Sequence, residues 1–156
     1  MPDPDSDPDS WIQTMIEKEV ALIDSNNRLI KGKVSYSNDL PCHLELDINS
    51  RRKFQSDGED VFQCLQMIRL DLENQGIKIL CNGARKNVSP SGMGRQMSNG
   101  QKIYVLNLGQ SATELVDIFD PAEVTEIGTV AEQLDFYKEW VNGFKREYKT
   151  GSGMSY

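Results

Sequence analysis

Histidine is almost missing from this chain: His43 is the only one in 156 residues. A zinc centre would therefore rest on three cysteines, Cys42, Cys64 and Cys81, which lie 22 and 17 residues apart with no CxxC pair. That is not a zinc spacing. An odd number of cysteines in apolar surroundings predicts reduced thiols packed as small hydrophobic side chains, and with them a reducing compartment. No metal or cofactor is expected. Long apolar runs are also lacking, and none approaches the ~18–20 residues that a membrane-spanning helix needs. At the amino terminus, Asp-Pro steps stand where a basic segment and an apolar stretch would mark export. These absences predict a cytoplasmic protein with no membrane contact. Catalytic signatures are equally scarce: there is no nucleophile elbow, no P-loop and no dinucleotide-type glycine fingerprint. A Cys81–His43 couple is the one nucleophile–base pairing that two neighbouring strand ends could assemble. An enzyme is the less favoured reading.

What is present describes one globular domain. Hydrophobic residues make up 38% and charged residues 26%, and the length suits a single core. Residues 1–10 combine Asp3, Asp5, Asp7 and Asp9 with Pro and Ser and contain no large apolar side chain apart from Met1. They are read as a disordered acidic lead, residues 11–148 as the domain, and residues 149–156 as a loose tail.

Periodicity divides the domain into elements. Residues 12–23 are ambiguous, with a helical turn at Ile12, Met15 and Ile16 and a strand-like run from 20 to 23. Turn residues at 24–27 lead into a strand at 29–36, making a hairpin. From 42 to 49 apolar and polar residues alternate, placing Cys42, Leu44, Leu46 and Ile48 inward and His43 outward. Ser56-x-x-Glu59 reads as a capping box opening a helix at about 57–75, with Val61, Leu65, Ile68 and Leu72 on one face and Gly76 ending it. Apolar segments at 77–81, 102–108 and 115–119 read as strands. Thr129-x-x-Glu132 repeats the capping pattern and starts a helix at about 129–147. Its stripe of Val130, Leu134, Tyr137, Val141 and Phe144 keeps four-three spacing, widened by Phe136 and Trp140. That helix either covers a sheet or serves a partner, and the first is favoured because a sheet needs a covered face. The expected class is α+β, with a mixed or mainly antiparallel sheet of five to six strands covered by two main helices.

Charge is distributed unevenly. Between residues 74 and 113 there is no Asp or Glu, while Lys78, Arg85, Lys86, Arg95 and Lys102 are basic. Against a total of −7, the rest of the chain carries −12. The centre of this basic stretch, residues 82–100, is a long Gly-, Ser- and Asn-rich connection, a type often functional. Pro90 and Ser91 could open a short helix there, so Arg85, Lys86, Ser91 and Arg95 are the candidate anion site for a phosphate or carboxylate. Residues 114–139 hold eight acids against Lys138. Asp117, Asp120, Glu123 and Glu126 could chelate a hard cation, but no calcium-loop pattern supports this. They are read instead as a surface for a basic partner. The two charged regions could equally balance each other inside the molecule. An acidic protein of this kind is not expected to bind nucleic acid directly.

Four segments, Ile79 to Arg85, Ser89 to Met93, Ile103 to Leu106 and Asp117 to Asp120, together resemble a group of small bacterial proteins. In that group a strand ending in Cys-x-Gly precedes a Pro-Ser loop with a Met, a Tyr-Val-Leu strand and an Asp-Ile-Phe-Asp segment. The resemblance implies no activity and transfers no catalytic residue. In size, acidity and α+β character the chain is also similar to cytoplasmic immunity proteins, which neutralise a toxin domain. The leading expectation is accordingly a non-enzymatic immunity or inhibitor protein with a basic partner such as a bacterial toxin. The alternative is a small enzyme or ligand-binding domain using the basic loop. A homodimer through an edge strand is a further expectation.

Overall fold

Alternation of side chains builds the larger of two sheets. The computed structural model describes residues 15–37, 41–90 and 100–153. Strands β1 (Met15–Ile23) and β2 (Leu29–Ser37) form the expected hairpin, and the ambiguity before residue 23 resolves to strand over the described residues. Asp24 closes the turn by accepting hydrogen bonds from the amides of Asn26 and Arg28, both at 2.9 Å. Strand β3 (Cys42–Ile48) follows with alternating burial along its whole length. Strand β4 (Arg52–Gly58) pairs with it, and β5 (Lys78–Ile79) pairs with β1, giving the antiparallel order β4-β3-β2-β1-β5. On the outer face the register sets Glu19, Lys33, Asp47 and Lys53 in one row of alternating sign across four strands.

The capping box expected at Ser56-x-x-Glu59 does not form. Ser56 lies within β4, its buried hydroxyl donating to the Cys64 carbonyl at 2.7 Å. Helix α1 (Val61–Glu73) is capped instead by Asp60, whose carboxylate accepts from the Gln63 amide at 2.8 Å, while the Gln63 side chain accepts from the Glu59 amide. The same reciprocal logic operates a few residues later than the sequence signal placed it. Gly76, with φ of +70°, ends the helix in a Schellman arrangement: the Ile77 amide reaches the Leu72 carbonyl and the Gly76 amide that of Glu73. Helix α1 lies over β3 and β4. It buries Val61, Phe62, Cys64, Leu65, Ile68 and Leu72 against the sheet. Each large aliphatic side chain so buried contributes about 1.5–3 kcal/mol.

The second sheet is small and antiparallel, in the order β6 (Val88–Ser89), β7 (Lys102–Val105), β8 (Glu114–Asp117). Its Val88, Ile103 and Val105 join the same hydrophobic core. A 3-10 turn, Asn82–Ala84, carries the chain between the sheets, and Gly83 is required there. A Cβ on Gly83 would stand 2.5 Å from side-chain atoms of both Leu65 and Ile118. The α+β class and the antiparallel pairing are as expected, and the larger sheet has five strands; among the described residues three further strands form a second, smaller sheet. Helix α2 (Val130–Gly153) starts at the expected capping box and runs beyond the expected end. Residues 1–10 and 154–156 of the expected lead and tail lie outside the described residues.

Candidate partner-binding surface

The first turn of α2 is tied down by polar groups. Thr129 Oγ1 accepts from the Glu132 amide at 3.0 Å, and Glu132 Oε1 accepts from the Thr129 amide at 2.9 Å. The Thr129 amide bond, the largest influence, holds the Glu132 carboxyl below its ordinary range. From α1, Glu73 Oε2 accepts from the Val130 amide at 2.8 Å, adding negative charge at the helix amino terminus. Arg69 is the centre of this clasp. Its guanidinium, 3% exposed, donates to Gly128 O at 2.7 Å and to Gln133 Oε1 at 2.9 Å, with the Gly83 and Ala84 carbonyls 3.4 Å away. Gln133 Nε2 donates in turn to Gly83 O and Arg85 O, at 3.0 and 2.8 Å. Burial pushes the Arg69 pKa down from its usual value, yet guanidinium stays charged at any physiological pH.

Beyond that clasp, α2 is not laid across a sheet as its stripe predicted. Gln133 is the one buried side chain among its residues 130–143. Leu134 is 51% and Tyr137 40% exposed. The reason is that α1 already covers the large sheet, so α2 packs beside the small sheet, α1 and the turn that follows β5. A cleft of about 480 Å³ lies between α2 and the small sheet, with Tyr137 and Trp140 on one side and Tyr104, Leu106 and Pro90 on the other. Trp140 Nε1 donates to Gln110 O at 2.9 Å, and its ring lies 6.2 Å from that of Tyr137. A smaller cavity of about 250 Å³ continues past Tyr137 to Leu134, Phe62 and Gln66. On the same helix, Glu132, Asp135 and Glu139 are exposed.

The four candidate acids divide into two kinds. Asp117 is buried in β8, 3.1 Å from Lys18 Nζ and 3.8 Å from Lys102 Nζ, and it accepts from Gln101 Nε2 and the Phe119 amide. Burial alone would push its pKa up, but the Phe119 amide, Lys18 and Gln101 together hold it below the ordinary carboxylate range. Glu126 Oε2 stands 3.1 Å from Arg85 Nη2, while Glu126 Oε1 accepts from the Glu123 amide. Asp120 and Glu123 are exposed, and Asp120 is 4.0 Å from Lys18. The basic stretch and the acidic stretch thus meet inside the molecule at Arg85–Glu126 and Lys102–Asp117.

Of the candidate anion site, Arg85 is occupied by Glu126 and by Asn87, which accepts from its Nε at 3.3 Å. Lys86 is exposed nearby. Ser91, Arg95 and the short helix expected after Pro90 lie outside the described residues. His43 and Cys81 do not come together. His43 pairs on the outer sheet face with Asp57 at 2.7 Å and Glu45 at 3.7 Å, and the Asp57 hydrogen bond raises its pKa. Cys81 is fully buried, its thiol pushed up to about 12 by that burial. Among the described residues no group of three His, Cys, Asp or Glu is placed to hold a metal, and no helix is long and apolar enough to cross a membrane.

Sequence reasoning missed Arg69, Gln133 and Lys18. A signal existed for Arg69, because a charged residue four places after Leu65 falls inside the buried stripe of α1. Nothing comparable marks Gln133. No protein-family model matches the chain, and no curated protein matches it.

Proposed function

We propose that the chain is a non-enzymatic protein-binding domain of the immunity or inhibitor kind, receiving a basic partner on α2 and the acidic positions near it. The carrying observation is α2 itself: a helix fastened by a buried polar clasp that leaves Leu134 and Tyr137 uncovered beside a cleft. Apolar and aromatic anchors with carboxylates around them are the composition of a recognition surface, where a few side chains supply most of the affinity. Asp120, Glu123, Asp135 and Glu139 are exposed and would steer a positive surface on approach. A toxin domain that acts on nucleic acid is a fitting partner, since it presents cations to phosphates. Asp117 and Glu126 have their charge engaged internally and serve the fold.

The test is co-purification with a toxin encoded beside the gene, followed by titration in rising salt. Leu134→Asp is expected to weaken binding by about tenfold or more, and Asp120→Lys with Glu123→Lys to slow association and flatten its salt dependence. Absence of any complex, or unchanged binding by all these variants, overturns the proposal.

A further inference from the structure

The core brings two cysteines into contact where β3 meets α1. Cys42 opens β3 and Cys64 lies in the first turn of α1, and both are at most 1% exposed. Cys64 Sγ donates to the Cys42 carbonyl oxygen at 3.3 Å, and Cys42 Sγ donates to the Ser37 carbonyl oxygen at 3.4 Å. Gly58 makes this approach possible. It is the register partner of Cys42 on β4, and a Cβ there would meet Cys64 Sγ at 3.2 Å. Cys81, the third thiol, is bonded to neither.

We propose that Cys42 and Cys64 form a reversible disulfide when the protein meets a small-molecule disulfide such as oxidised glutathione. In the first step the Cys64 thiolate attacks one glutathione sulfur, a mixed disulfide forms, and one glutathione thiolate leaves. The Cys42 thiolate then attacks the Cys64 sulfur and expels the second glutathione. Two protein thiols are oxidised, one glutathione disulfide is reduced, and the two protons pass to the departing thiolates. Cys64 is the better first nucleophile because it lies in the amino-terminal turn of α1, where the helix dipole favours a thiolate. Access requires local opening at the strand end, which the position of β4 at the sheet edge provides. The bond would close a loop containing all of β4, so that this edge strand could no longer peel away with α1 in place.

The experiment incubates the reduced full-length protein with oxidised glutathione, traps free thiols by alkylation after unfolding, and maps peptides by mass spectrometry. The expected product lacks two hydrogens, links the Cys42 and Cys64 peptides, leaves only Cys81 alkylated, and reverts with dithiothreitol. Backbone amides of β4 should exchange more slowly in this form. Cys42→Ser and Cys64→Ser should each abolish the link, and Cys81→Ala should leave it intact. Three alkylated cysteines in protein incubated at a denaturant concentration just below unfolding, a stable glutathione adduct without the link, or a link to Cys81 would each overturn the proposal. Because Cys81→Ala leaves both proposed partners in place, it remains decisive if a serine variant fails to fold.

Discussion

Helices α1 and α2 both carry apolar residues at four-three spacing, yet they are held by opposite means. Helix α1 buries its stripe against the large sheet, and its stability belongs to the core. Helix α2 is anchored at one end by Arg69, Gln133, Glu73 and its capping box, and its stripe stays largely open. Apolar periodicity therefore specifies that a face is available for burial. Whether the face is buried depends on whether another element has already taken the surface it would cover.

The largest expected effect tests α1. Leu65→Ala removes a side chain 1% exposed and should cost about 2–5 kcal/mol in urea denaturation, loosening both sheets together. Next comes the clasp. Arg69→Met keeps the volume but leaves Gly128 O without its side-chain donor and Gln133 Oε1 with only the longer bond from Gln66 Nε2, at about 1–3 kcal/mol. Hydrogen exchange should rise in α2 while β1 to β3 keep their protection. Uniform loss of protection across the molecule would erase the distinction between the two helices. Thr129→Ala removes the cap and should cost about 1 kcal/mol, again read in the first turns of α2.

The smallest effect serves as a control away from both helices. The His43 pKa is raised in the folded state, so its contribution is fully present below the unfolded value of about 6.5 and is lost as pH rises through the folded value. The side chain is more than a third exposed, and solvent screening keeps the contribution small. Asp57→Asn should reduce this slope in melting temperatures taken across neutral pH, leaving the part due to Glu45, and leave α2 exchange unchanged. Asp117 has the opposite sign: its pKa is lowered, so the stability it adds is present above the unfolded carboxylate value and is lost as acid carries pH through the lower folded one.

Much of the fold was legible because local chemistry and tertiary context agreed. The alternation at 42–48 fixed both strand and face, and the Thr129-x-x-Glu132 box formed as written. Strand β4 was hidden for a physical reason. As an edge strand it needs few apolar residues, and Phe54 and Ser56 carry its inward face. With the strand unseen, Ser56 passed for a helix cap. The charge map was legible by segment, but the pairs within it were not. Lys18 lies in β1 between polar neighbours, and only the fold reveals that it faces inward to meet Asp117.

Gly83 sets a limit of another sort. Leu65 from α1 and Ile118 from the end of the small sheet both close on it, and both are buried, so a methyl group there would force packed side chains to shift. The separation between helix and small sheet is thereby gauged by a missing methyl group. A remote relative could exchange nearly all of its surface charges, and even its cysteines, but at this position it could accept no larger residue without prying the layers apart. That constraint gives a fingerprint for the architecture that does not depend on overall sequence identity.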